Sequence, residues 1–366
     1  MQKKETLNSR KLSYFLGANS PEGFFSYFNE LYSPSTAQRV YILKGGPGTG
    51  KSTLMNAVVS AAEQIGLTVE TIPCCSDPAS LDGVRIPELE TALVDGTWPH
   101  VVEPIYPGAV EVFVDLGQFW DRGTLTRHKK EIISLHNKIK ECYRSAYRSI
   151  RAAKTLLDDR RAVAASAANT ENLRRRGCSL ALKCFGNKNR EGGGQRKCFF
   201  TAIGPGGYFD TYSSIHALCD KVYLIEDDFG LSHCMLEPLL RRAADSGYEA
   251  YAGYCPLEPK TKLEHVVVPD MGLAFVSAGR ACPYPYAPLR KLHTASAIDK
   301  DILYENKGKL KLLWNTAAAL LDDAMGHIAR VKTLHDKLES IYMGSMDYDR
   351  AAAYREKICG EIMGGD

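Results

Sequence analysis

The chain has 366 residues, a formal net charge of +3, 45% hydrophobic residues and 24% charged residues. This is the composition of an ordinary soluble protein, and the length predicts two or three domains. The sequence contains no apolar run long enough to span a bilayer, and its first residues lack the apolar core of a signal peptide. Because the eleven cysteines include no Cys-x-x-Cys pair, we expect reduced thiols in a cytoplasmic protein with no membrane partner.

The most informative pattern lies between residues 39 and 62. Residues 39–43 are β-branched and aromatic and predict a strand, whereas residues 54–62 predict a helix with an apolar stripe. The loop between them fits Gly-x-x-x-x-Gly-Lys-Ser/Thr, in which glycines turn successive backbone N–H groups toward a phosphate. We therefore expect a nucleoside triphosphate to be bound by Gly45, Gly46, Pro47, Gly48, Thr49, Gly50, Lys51, Ser52 and Thr53.

The last three residues of this loop have separate roles in that interpretation. Lys51 would reach the β- and γ-phosphates and neutralise charge that develops during phosphoryl transfer, so it is a predicted catalytic residue. The Ser52 hydroxyl would bind Mg²⁺, and Thr53 would contact the α-phosphate. The positive end of the following helix adds to the attraction of an anion.

Such a loop needs an acidic residue at the end of an apolar strand to hold Mg²⁺ through water. Residues 91–95 end in Asp95 and are followed by a Gly-Thr turn, and residues 110–115 end in Asp115. We favour Asp95, with Asp115 as the alternative, because Ser277 replaces Asp95 in the repeat described below. Asp95 is therefore predicted as a second catalytic residue and, with Ser52, as a metal ligand.

Other polar residues near the predicted strand ends are weaker candidates. Asp77, Asp82 and His100 lie where open α/β sheets bind ligands, and they could position a water or a phosphate acceptor. A residue of this kind is also common in loops, where it makes only local hydrogen bonds. Arg122 and Lys129 could supply charge to a transition state, but the sequence distinguishes neither.

Long amphipathic helices are predicted in both halves of the chain. From residue 132 to residue 157, and again from 310 to 334, apolar residues recur at steps of three and four. We expect the two helical arms to pack together.

The region between the two halves is basic. Residues 144–197 contain 14 lysines and arginines against 4 acidic residues, a possible footprint for nucleic acid or a phosphorylated partner. A solvated helix face with a basic loop explains the same charge without a ligand. Residues 177–195 include three consecutive glycines and predict a linker.

The second half of the chain repeats the first. Four pairs of segments match in the same order: 10–25 with 196–209, 39–43 with 221–225, 81–89 with 263–271, and 154–156 with 332–334. In the repeat, Asp227 and Asp228 replace Gly45 and Gly46, and His233 replaces Lys51. We expect this second copy to keep the fold and to have lost the nucleotide site, because two carboxylates repel a triphosphate. A metal site at these three residues is the alternative.

Residues 38–115 resemble the P-loop NTPase superfamily. Residues 15–25, the 45–53 loop, residues 81–89 and the Asp-Gly-Thr-Trp-Pro-His run at 95–100 are similar to a bacterial family of duplicated P-loop ATPases, known by sequence rather than by an assigned reaction. The resemblance implies ATP and Mg²⁺ binding at Gly45–Thr53. Residues 187–190 (Asn-Lys-Asn-Arg) lack the aspartate of a GTP-specificity run, which favours ATP over GTP.

We therefore expect an α/β protein with two tandem P-loop NTPase-like domains, 1–176 and 196–366, each a mostly parallel sheet followed by long amphipathic helices. The first domain would bind Mg²⁺-ATP and catalyse ATP hydrolysis or phosphoryl transfer. The alternatives are a nucleotide-responsive regulatory module with little turnover, favoured by the absence of glutamate after Asp95, and a nucleic-acid-associated NTPase. The sequence identifies no protein partner.

Overall fold

The computed structural model describes residues 11–364. The first half of the chain contains β1 (Lys11–Ser13), β2 (Gly17–Ser20), β3 (Gly23–Ser26), β4 (Arg39–Lys44), α1 (Lys51–Gln64), β5 (Val69–Cys74), β6 (Asp77–Ile86), β7 (Thr91–Asp95), β8 (Glu111–Asp115), α2 (Arg122–Arg127), α3 (Lys129–Ser166) and α4 (Thr170–Phe185). The second half contains β9 (Gly194–Cys198), β10 (Thr201–Gly204), β11 (Gly207–Asp210), α5 (Tyr212–Leu218), β12 (Lys221–Glu226), α6 (His233–Asp245), β13 (Glu249–Cys255), β14 (Glu258–Val268), β15 (Leu273–Ala278), β16 (Arg290–His293), α7 (Lys300–Glu305), α8 (Lys307–Met343) and α9 (Tyr348–Gly364).

Each half forms a six-stranded sheet with the same topology. The strand order is β1-β5-β6-β7-β4-β8 in the first sheet and β9-β13-β14-β15-β12-β16 in the second. Both sheets are mixed and mostly parallel, because only β6 and β14 run antiparallel to their two neighbours. The predicted α/β class and the two similar units are confirmed.

The compact units do not coincide with the two halves of the chain. Within the described range, unit 1 comprises residues 11–17, 26–143 and 329–364, and unit 2 comprises residues 18–25 and 144–328. Unit 1 therefore contains the first sheet together with α9, and unit 2 contains the second sheet together with α4. The domains predicted as 1–176 and 196–366 follow the repeat, whereas the units exchange their last helices.

The exchanged helices cover apolar faces in both units. In unit 1, α9 packs on α1 and buries Ala351, Ile358 and Ile362. In unit 2, α4 packs closely on α6: a Cβ atom on Gly177 would lie 2.5 Å from the carbonyl oxygen of Met235. Glycine is thus required where the two helices touch.

The long helices pack as their apolar periodicity predicts. In unit 1, Leu135 and Ile139 of α3 share an apolar cluster with Val331 and Leu338 of α8. In unit 2, the shared cluster includes alanines of both helices, which allow a close approach of the two backbones; these alanines are Ala146, Ala153, Ala317 and Ala324. Between residues 11 and 364, every helix is too short or too polar to cross a lipid bilayer.

Several predicted boundaries need correction. Residues 177–185 of the predicted linker are helical, because α4 continues to Phe185. β1 ends at Ser13, and β6 begins at Asp77. Asp82 consequently lies within β6 rather than near a strand end. Residues 111–115, which end in the alternative acid Asp115, form the edge strand β8.

Candidate functional site

The glycine-rich loop, residues 45–53, joins the end of β4 to the beginning of α1. Gly45 has a φ of 147°, and a Cβ atom there would lie 2.7 Å from the hydroxyl oxygen of Thr49. Gly50, which precedes the first residue of α1, has a φ of 86°. Left-handed backbone favours glycine, so these two positions allow the sharp turn from strand into helix. The first turn of α1 presents backbone N–H groups at this turn, as the start of every helix does.

Lys51 places a positive charge at the mouth of the loop. Its Nζ atom donates hydrogen bonds to the carbonyl oxygens of Gly45 and Gly46, each at 2.9 Å. The same atom lies 3.6 Å from Oδ2 of Asp95. The side chains of Lys51 and Asp95 are only 12% and 13% exposed, so their charges act at short range with little screening. The structure thus brings the two predicted catalytic residues together.

The hydroxyl groups of the loop lie in the same region. Ser52, in the first turn of α1, accepts a hydrogen bond from the backbone N–H of Leu81 at 3.1 Å. Thr49 is buried and donates to the carbonyl oxygen of Gly46 at 2.9 Å. Thr53 is an exposed residue of the same turn that lines the cavity described below. Ser52 and Asp95 both offer oxygen atoms, the ligand type that Mg²⁺ prefers.

Asp95 and Asp115 end the two strands that flank β4. In the parallel register, Asp95 lies opposite Leu43, and Asp115 lies opposite Lys44. One oxygen of Asp95 accepts hydrogen bonds from the backbone N–H and the hydroxyl of Thr97, at 2.9 and 2.6 Å, while the other is directed toward Lys51. Asp115 instead accepts from the backbone N–H of Gly117 at 2.8 Å and caps a short 3-10 helix. The geometry therefore associates Asp95, rather than Asp115, with the glycine-rich loop.

Asp82 and His100 form a buried pair in the same unit. Nε2 of His100 lies 3.2 Å from Oδ2 of Asp82, and the imidazole ring packs against Phe28 with ring centroids 5.0 Å apart. Burial raises the pKa of Asp82 to about 6, although the charge of His100 acts in the opposite direction. Sequence reasoning placed both residues among the weaker candidates, and the structure brings them together although they lie on different segments.

A cavity of about 620 Å³ connects these groups. Its volume is within the range of roughly 300–1,000 Å³ that is typical of small-molecule sites. Its lining includes the glycine-rich loop, Asp77, Asp82, Asp95, His100, His136, Tyr143, Lys332, His335, Tyr342 and Arg355. Arg122 and Lys129, the other basic candidates, are not among the residues that line it.

Several cavity residues come from the second half of the chain and were missed by sequence reasoning. Arg355 of α9 is so close to the loop that a Cβ atom on Gly50 would lie 3.2 Å from its Nη1 atom. Lys332 of α8 lies 3.1 Å from Asp77. These residues lie almost 300 residues after the loop, on helices whose apolar pattern shows a buried face but not its partner. The sequence therefore contains no local signal for their position.

The equivalent loop of unit 2 is filled by its own side chains. The carboxylate of Asp227 accepts hydrogen bonds from the backbone N–H of Ser232 at 2.6 Å and of Phe229 at 3.2 Å. His233, at the position of Lys51, lies with Nδ1 3.2 Å from the carbonyl oxygen of Gly230. The loop N–H groups that would face a phosphate thus bind a carboxylate of the protein.

Lys262 supplies the positive charge that balances the carboxylate of Asp227. Although burial opposes ionisation, the Lys262 ammonium and the loop N–H groups hold the pKa of Asp227 below its ordinary value. The pKa of Lys262 is in turn raised by neighbouring groups that include Glu264 and Asp227, against the effect of burial. This arrangement gives a physical reason for the expected loss of a nucleotide site in the repeat.

Part of the basic stretch 144–197 is neutralised within unit 2. Lys154 and Arg161 form ion pairs with Glu258, at 3.2 and 2.8 Å. The guanidinium of Arg160 lies over the ring of Phe229, 4.4 Å from its centroid. These three basic residues therefore have a structural role within unit 2.

Comparison of the chain with protein-family models, with curated proteins and with solved structures gave no match. The functional assignment consequently depends on the geometry of the chain's own residues. The central observation is the glycine-rich loop with Lys51 at its mouth and Asp95 within 3.6 Å of the ammonium group.

Proposed function

We propose that unit 1 binds Mg²⁺-ATP at the glycine-rich loop and catalyses ATP hydrolysis or phosphoryl transfer. The observation that carries the proposal is the position of Lys51 between the loop carbonyls and Asp95. A strand, a glycine-rich turn and a helix N-terminus in this order favour an anionic phosphate group. The pattern resembles that of the P-loop NTPase superfamily.

Each residue of the site has a role in this proposal. The loop N–H groups and Lys51 would hold the β- and γ-phosphates, and Lys51 would stabilise negative charge that develops on the transferred group. Ser52 and Asp95 would hold Mg²⁺, which neutralises phosphate charge when it is bound. Catalysis of this kind depends mainly on positioning and electrostatics.

Arg355 extends the proposal to a residue beyond the loop. Its guanidinium lies beside Gly50, where the backbone turns into α1. An arginine at this place can form bidentate hydrogen bonds with phosphate oxygens. Because Arg355 belongs to the second half of the chain, both halves would contribute to one nucleotide site.

The proposal is tested by measuring Mg²⁺-ATP binding calorimetrically and phosphate release in parallel. Lys51→Ala is expected to weaken binding roughly 10- to 100-fold, because it removes charge-assisted hydrogen bonds of about 1.5–3 kcal/mol, and to abolish turnover. The matched control is His233→Ala, the equivalent change in the filled loop of unit 2, which should alter neither quantity. Unchanged binding and turnover in Lys51→Ala would contradict the proposal.

A nucleotide-responsive regulatory module is the second candidate. It is favoured by Gly96, which directly follows Asp95 where many motor ATPases have an activating glutamate, and by the self-filled loop of unit 2. The same experiment separates the two candidates. Lys51-dependent binding without measurable phosphate release would support the regulatory module, whereas rapid release from ATP alone would exclude it.

A further inference from the structure

Three side chains of metal-binding type converge in unit 1 beside the glycine-rich loop. The ligand atoms of Cys74, Asp82 and His100 all lie within 4.8 Å of one another. They come from the end of β5, from β6 and from the segment after β7, so the fold rather than a local motif assembles them. All three line the cavity that contains Lys51 and Asp95.

The chemistry of the three ligands favours a particular class of metal ion. A thiolate, an imidazole and a carboxylate together suit Zn²⁺ and similar borderline ions, whereas Mg²⁺ prefers oxygen alone. Zinc bonds of about 2.0–2.3 Å place tetrahedral ligands roughly 3.5 Å apart, so the observed spacing requires only small side-chain movements. Three protein ligands leave a fourth position open, as in zinc sites that bind a water or a substrate.

The repeat provides an independent observation. Cys255 ends β13 as Cys74 ends β5, and Glu264 aligns with Asp82. Between them lies the ammonium group of Lys262, 3.0 Å from Glu264 and 3.8 Å from the sulfur of Cys255. In unit 2 the equivalent position is therefore occupied by a cation that the chain itself supplies.

The aligned position of unit 1 carries no cationic side chain. The residue that aligns with Lys262 is Ser80, whose short side chain lines the same cavity. Charged groups that act on Asp82 include His100, Asp95 and Lys51. We propose that Cys74, Asp82 and His100 of unit 1 bind a divalent transition-metal ion of the zinc type, in the position that the Lys262 ammonium takes in unit 2.

Metal binding would not require the proposed nucleotide function. A metal ion would displace the thiol proton of Cys74, because the thiolate is the ligand form. Because the three residues and Lys51 line one cavity, the ion would also supply a site for a water near a phosphate group held by Lys51. This second step depends on the proposed function, whereas binding of the metal alone does not.

The test uses the full chain without nucleotide. The metal content of the purified protein is measured by mass spectrometry, and Co²⁺ is added to the metal-free protein while absorption from a thiolate–cobalt bond is followed. We expect about one metal ion per chain and a thiolate–cobalt band in the wild type. Cys74→Ser should lose the band, and His100→Ala should lose most of the affinity. Cys178→Ser, which changes an exposed cysteine of unit 2, should retain both signals.

Ser80→Lys keeps the proposal testable if the ligand variants fold poorly. The repeat accommodates a lysine at this position, so the variant should keep the circular dichroism and thermal unfolding of the wild type and lose metal binding. Ser60→Lys, at an exposed position of α1, is the control and should bind metal normally. Lys51→Ala should also keep the thiolate–cobalt band, which separates failure of this inference from failure of the nucleotide proposal. A wild-type protein without a thiolate–cobalt band, or an unchanged band in Cys74→Ser, would overturn the inference.

Discussion

Asp95 and Asp115 differ in the groups that contact their carboxylates, and this decides which of them can take part in the site. Both end a strand that is parallel to β4, and both lie at the carboxyl edge of the first sheet. Asp95 is held by Thr97 on one oxygen and faces Lys51 with the other, whereas Asp115 bonds the backbone of its own 3-10 helix. Both carboxylates accept a hydrogen bond from the backbone N–H two residues later, so the difference lies in the second oxygen of Asp95, which is 3.6 Å from the ammonium group of Lys51.

Exchange of each acid for its amide tests this distinction. Asp95→Asn should reduce Mg²⁺-dependent phosphate release and ATP binding roughly 10- to 100-fold, because the amide removes the negative charge that would attract the metal. Asp115→Asn is the matched control and should retain both, with a loss of stability of at most about 1 kcal/mol from the weaker cap. Comparable losses of activity in the two variants would refute the assignment of Asp95.

At the scale of the element, the two strand–loop–helix segments differ both in loop backbone and in charge. Gly50, before α1, has left-handed backbone with a φ of 86°, whereas the equivalent Ser232, before α6, has right-handed helical backbone with a φ of −60°. The first loop has a cation at its mouth, Lys51, and glycines at its start. The second loop begins with Asp227, whose carboxylate binds the loop N–H groups and is balanced by Lys262. The order of strand, loop and helix is thus kept, with a different loop backbone, when an internal carboxylate takes the position proposed for a phosphate.

Removal of that carboxylate should destabilise unit 2. Asp227→Ala leaves Lys262 without one of its acidic neighbours and leaves the loop N–H groups without their acceptor, so the free energy of unfolding should fall by about 2–3 kcal/mol. Asp228→Ala is the control: its side chain is 37% exposed and pairs with the more exposed Arg280, so its loss should be at most about 1 kcal/mol. Urea unfolding of the two variants checks the difference. Equal losses would mean that Asp227 does not support the loop.

At the scale of the whole molecule, some features could be predicted from the sequence and others could not. The repeat, the strand before Gly45 and the long helices were predictable, because glycine turns and apolar periodicity are local signals. The exchange of α4 and α9 was not, since an apolar face at residues 351–362 does not identify its partner. The Cys74–Asp82–His100 cluster was missed for a related reason: the eleven cysteines contain no metal-binding spacing, and the three ligands meet only after the sheet has formed.

The exchange of helices predicts that neither half of the chain folds alone. A fragment of residues 1–193 would lack α9, whose buried Ile358 and Ile362 lie in the apolar cluster around α1. Burial of two such side chains contributes about 3–6 kcal/mol to the free energy of unfolding. This is comparable to the total free energy of unfolding of a marginally stable domain. Each fragment, 1–193 or 194–366, should therefore aggregate or remain unfolded when expressed separately, and co-expression should yield a soluble one-to-one complex. Size-exclusion chromatography and circular dichroism would show this.

Two substitutions in the 194–366 fragment serve as controls for the co-expression experiment. Ile358→Asp should prevent formation of the soluble complex, whereas Lys357→Asp, at an adjacent position that is 69% exposed, should allow it. A soluble and cooperatively folded 1–193 fragment would contradict the exchange, because its α1 face would then be stable without α9.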